Sequence, residues 1–271
     1  MQNPPLGARP PEPRLIGPVN WRGLWTLYLK EVRRFVNVFT QTLLAPVITT
    51  LLFLAIFTLA LGRAVQEVGG VPYALFLAPG LIMMAILQNA FANTSSSIVI
   101  AKIQGNIVDL LMPPLSAGEL TFGIAVGGMT RGLAVGASVG LAMAIFVPIR
   151  PHDLFIVFFY AVNAGLMLSL LGMIGGIWAE KFDHIAAVTN FVITPLSFLS
   201  GTFYTIERLP ENWRLVAQMN PFFYLIDGFR YGLIGYADAS LVFGALFVMA
   251  VNGGLWALTH RMLATGYRLK A

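Results

Sequence analysis

The sequence predicts an all-α integral membrane protein: six transmembrane helices with an N-terminal interfacial amphipathic helix and a short cytoplasmic helix between the second and third spans. Three observations carry this prediction. The chain is 57% hydrophobic and only 11% charged, with a mean hydropathy of +0.76. A soluble domain carries about 25% charged residues, and a soluble fold of this length could not cover its core with so few. Charge-free intervals run over residues 35–62, 68–101, 154–179, 185–206 and 239–259, and a sixth apolar block, 120–149, is broken only by Arg131. Each reaches the roughly 20 residues that a helix needs to cross the hydrocarbon core. None alternates with the period of a barrel strand, and backbone amides in lipid must be satisfied within the segment, which leaves helices.

The elements follow in chain order. Residues 1–19 form a Pro-rich tail expected to be flexible and cytoplasmic; residues 1–20 lack an apolar core of about 7–15 residues, so no cleaved signal peptide is expected. Asn20 is a candidate N-cap. After it, Trp21, Leu24, Trp25, Tyr28, Val32 and Phe35 fall on one helical face, with Arg22, Thr26, Lys30, Arg33 and Asn37 on the other. An aromatic face opposite a basic one suits a helix lying in the lipid headgroup plane, either as a plain anchor or as one that also touches a partner. The transmembrane domain covers 20–265, with spans at 38–61, 73–100, 120–148, 154–179, 185–206 and 239–260, re-entrant or short outer helices within 207–238, and a cytoplasmic tail at 266–271. With both termini inside, the cytoplasmic segments hold Arg9, Arg14, Arg22, Lys30, Arg33, Arg34, Lys102, Lys181, Arg261, Arg268 and Lys270. The outer segments hold Arg63, Arg150, Arg208, Arg214 and Arg230. The positive-inside bias therefore places both termini in the cytoplasm. The net charge of +5 is accounted for by this topology, without a nucleic-acid partner.

Chemistry is notable for what the motifs lack. The lysines, Lys30, Lys102, Lys181 and Lys270, follow Leu, Ala, Glu and Leu. No Gly-Lys pair exists to end a phosphate-binding P-loop. His152, His184 and His260 are far apart and fit no metal-ligand spacing. Ser200-Gly201 invites comparison with a membrane-embedded serine protease, but Phe198 stands where a glycine is needed and no partner base is evident. The chain has no cysteine, which excludes disulfide and thiol chemistry. No catalytic residue, metal or cofactor of its own is expected.

Between spans 2 and 3 the passage "KIQGNIVDLLMPPLSAGEL" (102–120) interrupts the apolar runs. From Gln104 to Met112 the pattern suits one or two helical turns, with Ile107, Leu110 and Leu111 on one side and Asp109 apart; Pro113 and Pro114 then block continuation. Such a helix makes either a compact knob or a loop resting on the membrane. Within the spans, Gln88, Asn89 and Asn93 share one side of span 2, and Asn190, Thr194, Ser197 and Ser200 recur along span 5. Polar groups in lipid turn toward protein or water, so these either line a path or bond helix to helix. The steps Gly123-Gly127, Gly132-Gly136-Gly140 and Gly172-Gly176 suggest close packing of spans 3 and 4. Arg131, a charge inside a span, needs a partner or a function; Glu180 and Asp183 are candidate partners.

The passage resembles the coupling segment of the ABC-2 type permeases of ATP-binding-cassette transporters: Lys102, Gly105, Asp109, Leu110, Leu111 and Pro113 stand where that family has a basic residue, glycine, an acidic residue, paired leucines and proline. A second block, 195–230, is similar to the family's stretch from span 5 into the outer segment, through Pro195, Ser200, Gly201, Phe203, Leu209, Pro210, Pro221, Tyr224, Asp227 and Arg230. This chain has Tyr204-Thr205 where the family often has a proline. The likeness covers about residues 20–265. It implies a half-transporter of the inner membrane that pairs with a second permease copy and binds two separate ATPase subunits, which carry ATP and Mg. It implies that Gln104, Gly105, Asn106, Asp109, Leu110, Leu111 and Pro113 contact those subunits, and that Lys30, Glu31, Arg33 and Arg34 of the interfacial helix do so too. It also implies that spans 2 and 5 border the path, and it favours export of an amphipathic, lipid-linked, drug-like or glycan substrate. A scaffold protein or a passive channel without ATP coupling is the alternative.

Overall fold

The computed structural model of the protein describes residues 17–62 and 65–269. The tail expected over 1–19 lies outside the described residues as far as Ile16, as do the last two residues of the tail at 266–271 and, of the basic residues that set the topology, Arg9, Arg14, Arg63 and Lys270. Among the described residues six helices are long and apolar enough to cross a membrane: Thr40–Ala60, Tyr73–Ile103, Ala117–Ala144, Leu154–Trp178, Phe182–Leu199 and Leu241–Thr265. Among the described residues the fold is all-α apart from a two-stranded hairpin, β1 (Glu67–Val68) and β2 (Val71–Pro72).

The N-terminal helix α1 (Trp21–Val36) begins at Asn20, whose side chain caps it by accepting from the Gly23 N–H at 3.0 Å. Its inward residues are Leu24, Leu27, Glu31 and Phe35, while Trp21 and Trp25 face outward. The aromatic stripe is therefore divided: the aliphatic part seats on the bundle and the indoles stay exposed. A π-helical turn (Thr40–Leu44) leads into α2 (Ala45–Leu61), and a second one (Thr189–Ile193) joins α7 (Phe182–Val188) to α8 (Thr194–Leu199). Each turn is followed by a proline, Pro46 or Pro195. A proline removes a backbone donor and crowds the carbonyl four residues back, and a widened turn absorbs both effects.

At the centre stands α3 (Tyr73–Ile103), of whose most apolar stretch 78% is buried, against 11% for both the first and the fifth span. It is enclosed by α5 (Ala117–Ala144) and α6 (Leu154–Trp178). The glycine steps of spans 3 and 4 meet α3 on its two sides. A Cβ at Gly132 would stand 2.9 Å from the Ile86 carbonyl oxygen, and one at Gly176 3.0 Å from that of Ser95. Thr94 completes the contact by donating to the Ser169 carbonyl at 2.8 Å. Gly123 and Gly127 instead make room for Leu27 and Glu31 of α1.

The fifth span ends at Leu199 rather than continuing to 206. Gly201 there takes a left-handed backbone, φ +74°, and Asn220 donates to the Leu196 carbonyl and the Ser200 hydroxyl at 2.9 and 2.8 Å. The chain then runs through α9 (Glu211–Met219) and α10 (Pro221–Ile234) before α11 (Leu241–Thr265). In α10, Arg230 is fully buried, lies 4.1 Å over the Phe76 ring, donates to the Gly201 carbonyl and pairs with Asp227 at 3.8 Å. Asp227 accepts the N–H groups of Asp238 and Ala239 at 2.8 and 2.9 Å. These bonds pin the 200–240 segment to the end of the bundle that also holds the β-hairpin.

The opposite end gathers α1, the 104–116 segment, the turn after α6 and the C-terminus. Lys102 donates to the Ile177 and Ala179 carbonyls at 2.7 and 2.6 Å, and Arg268 donates to the Trp178 carbonyl at 3.1 Å. The start of α1 and the end of α11 thus lie on the same side of the bundle.

Candidate functional site

The 102–120 passage forms a knob. After α3, Gly105 takes φ +73°, a left-handed conformation that costs a residue with a Cβ roughly 1–2 kcal/mol, and the chain reverses into α4 (Ile107–Leu111). Ile107 and Leu110 turn inward, into an apolar cluster with Leu27, Leu120 and Ile124. Val108, Leu111 and Met112 point outward, 52%, 37% and 77% exposed. Leu110 and Leu111, grouped together by the sequence pattern, therefore face opposite ways: in a five-residue helix the 100° between neighbours decides the side. Gln104, Gly105, Asn106, Asp109 and Pro113 are all exposed.

Glu119 fixes the knob to α1. Its Oε2 accepts from the Ser116 N–H and hydroxyl at 2.6 and 2.7 Å, closing a capping box at the start of α5, and its Oε1 accepts the Asn20 N–H at 2.6 Å. Asn20 also donates to the Pro114 carbonyl at 3.1 Å. Between α1 and the knob opens a concave cleft of about 670 Å³, bordered by Trp21, Arg22, Lys30, Asp109 and Pro113.

The four α1 residues expected at a partner surface separate into two pairs. Lys30 and Arg33 are exposed. Glu31 is fully buried, accepts from Ser97 at 2.7 Å and pairs with Arg34 at 3.5 Å. Arg34 donates to the Asn93 backbone carbonyl, to Asn93 Oδ1 at 3.0 Å and to Ser96 Oγ at 3.1 Å. Burial holds its guanidinium below the ordinary arginine value, with Glu31 working against that shift. This corrects the placement of Glu31: the Leu24–Leu27–Glu31 flank packs on α5, so the carboxylate lies in the interior.

A second cleft, of about 720 Å³, lies between α2, α3 and α5. It brings together Gln88, Asn89 and Arg131 with Gln41, Thr42, Thr49 and Thr50 of the first span, the last four missed from the sequence. Their signal was present: Gln41-Thr42 and Thr49-Thr50 stand about two turns apart in an uncharged block. Arg131 donates to Asn89 Oδ1 at 3.3 Å, which corrects the expectation of Glu180 or Asp183 as its partner; Glu180 instead pairs with Arg268 at 3.9 Å. Asn93 is bound to Arg34. Ser197 and Ser200 donate to carbonyls of their own helix, Ile193 and Leu196, and with Thr194 they stand outside this cleft. Among the described residues no group of three His, Asp or Glu side chains is placed to hold a metal ion.

Among the described residues, six helices long and apolar enough to span a bilayer, with an amphipathic helix locked to a knob between the second and third, define a multi-pass membrane protein. The chain belongs to the ABC-2 type transporter family, whose model matches residues 22–234. It is 40% identical over 245 residues to the inner membrane transport permease YadH of Escherichia coli strain K12, covering 89% of this chain and 96% of that one. It is 27% identical over 245 residues to nodulation protein J of Rhizobium leguminosarum bv. viciae, covering 87% and 91%, and 24% identical over 238 residues to that of Neorhizobium galegae, covering 87% and 90%.

Proposed function

We propose that the protein is the permease subunit of an ATP-binding-cassette exporter in the inner membrane. On this reading two copies pair, both termini are cytoplasmic, and ATP with its Mg is hydrolysed on two separate subunits. The substrate is an amphipathic, lipid-linked, drug-like or glycan molecule. Membership of the ABC-2 family and the likeness to an inner membrane transport permease support this reading, as does the absence of any Gly-Lys pair from the chain.

The observation that carries it is the knob. Val108, Leu111 and Met112 expose apolar surface on a short element whose other side is anchored by Ile107 and Leu110. Asn20 and Glu119 tie the residues that follow that element, Pro114 and Ser116, to the starts of α1 and α5. A push on the knob is thus delivered to α1, α3 and α5 together. ATP can favour one arrangement of the spans only through contacts that differ between the two states, and a rigidly mounted apolar tip beside a concave cleft supplies such contacts.

The test is nucleotide turnover. Purified permease free of any partner should hydrolyse no ATP, and addition of its cognate ATPase subunit should produce a complex whose turnover responds to substrate. Hydrolysis by the permease alone, or failure of any nucleotide-binding subunit to co-purify, would overturn the proposal.

A further inference from the structure

Midway along α5 a guanidinium stands without a carboxylate. Arg131 follows the helix start, Ala117, by 14 residues and precedes its end, Ala144, by 13, about 20 Å from each at 1.5 Å per residue. Among the described residues it forms no ion pair. Its one hydrogen bond goes to Asn89 Oδ1 at 3.3 Å, and its buried Nε has no hydrogen-bond partner. Asn89 in turn donates its amide to the Ala85 carbonyl at 3.0 Å.

The polar chain that continues along α3 offers no relief. Glu31 is engaged by Arg34 and Ser97, and among the described residues no acidic side chain borders the cleft in which Arg131 stands. Glu31 pairs with Arg34 alone, so Arg131 is left as a net positive charge near the middle of the span, where an uncompensated charge is costly.

The cleft around Arg131 has two kinds of wall. Gln88, Asn89 and Thr49 lie on it with polar groups, and Phe53, Leu81 and Met84 with apolar ones. Its volume of about 720 Å³ falls within the roughly 300–1,000 Å³ of small-molecule pockets and is far larger than a bare oxyanion. Resting on the reading of this chain as a permease, we propose that the cleft binds an anionic amphiphile. A phosphate, sulfate or carboxylate head is held by Arg131, and the apolar body lies against Phe53, Leu81 and Met84. Such a head supplies the missing counter-charge and takes the free Nε–H, and the apolar wall rejects a fully hydrated ion.

The experiment uses the full-length chain in nanodiscs of phosphatidylcholine, with radiolabelled dodecyl phosphate as probe. Wild type should bind it saturably, dodecyl maltoside should not compete, and inorganic phosphate should compete only weakly. Arg131→Gln should weaken binding about 10- to 100-fold, the range that charge-assisted hydrogen bonds supply, whereas Arg131→Lys should stay within about threefold. Without probe, Arg131→Gln should melt at or above the wild-type temperature, since an uncompensated charge is removed; only wild type should be stabilised by adding the probe. A second set of discs containing phosphatidylglycerol assigns the source. Weaker probe binding there shows that a bilayer lipid headgroup occupies the site, and unchanged binding shows a freely exchanging amphiphile; both uphold the anionic site. Equal binding by wild type and Arg131→Gln, or a probe-free Arg131→Gln that melts well below wild type, would overturn it. The readout needs no ATPase, so loss of the anionic site with intact ATPase capture leaves the permease reading standing. Loss of capture with intact probe binding does the reverse.

Discussion

Leu110 and Leu111 show how one residue step separates structure from function. Leu110 is 7% exposed and packs among Leu27, Leu120 and Ile124, so Leu110→Ala should act on the permease itself. Large-to-small changes at such positions cost on the order of 2–4 kcal/mol, and the variant should melt lower while whatever folds retains an intact outer surface. A thermal melt of the purified chain checks this; an unchanged melting temperature would mean that Leu110 is not anchored as described. The pairing of the two leucines was legible as a motif, but which one faces inward was not. Five helical residues are too few for periodicity to set a face. Arg131 stood out at once as a charge inside a span, yet its partner depended on helix-to-helix register, which no local pattern encodes.

At the scale of elements, α1 is held to the bundle by one buried carboxylate as much as by its leucines. Glu31→Ala would leave Arg34 without its counter-charge and Ser97 without its carboxylate acceptor. Removing one partner of a buried ion pair costs about 3–5 kcal/mol, and the 27% of the Arg34 side chain that remains in contact with solvent places this case at the low end. The expected result is faster amide hydrogen exchange along α1 with little change in α3. Equal protection of α1 in both forms would show that the Glu31–Arg34–Ser97 bonds do not hold it. The spans themselves were readable from gaps between charges, because lipid tolerates so few. Their ends were less so. Residues 200–206 are uncharged, but the left-handed Gly201 and the Asn220 bonds stop the fifth helix at Leu199, and neither feature registers as a charge. The burial of Glu31 was hidden for a similar reason: it lies on the flank between the aromatic and basic faces that the helical pattern displayed.

For the whole molecule, the even number of spans and the clustering of α1, the knob and the C-terminus at one end make sidedness the next question. The excess of basic residues at that end predicts that it is cytoplasmic. Cysteines introduced at the exposed Glu67 and Asn212, which lie at or beside the opposite end, should react with an impermeant reagent added to intact cells, and one at Gln104 should not. Labelling of Gln104 in sealed cells would invert the map and remove the knob from any cytoplasmic partner. The six-span layout was legible because it follows from charge alone. The polar cleft was not, because it assembles Gln41, Gln88 and Arg131 from three spans.

The central claim, that the knob couples this permease to an ATPase, is met most directly by Leu111→Arg. Leu111 is surface-exposed at the tip, so the change leaves the fold and membrane insertion intact while placing a charge in what would be a desolvated contact, an effect worth several kcal/mol when the charge stays unpaired. Asp109→Ala, at the polar rim, should cost less. At equal permease abundance, capture of the ATPase subunit and substrate-stimulated ATP hydrolysis should fall at least tenfold for Leu111→Arg and modestly for Asp109→Ala. Full capture and full stimulation with Leu111→Arg would contradict the account and leave the passage a surface loop.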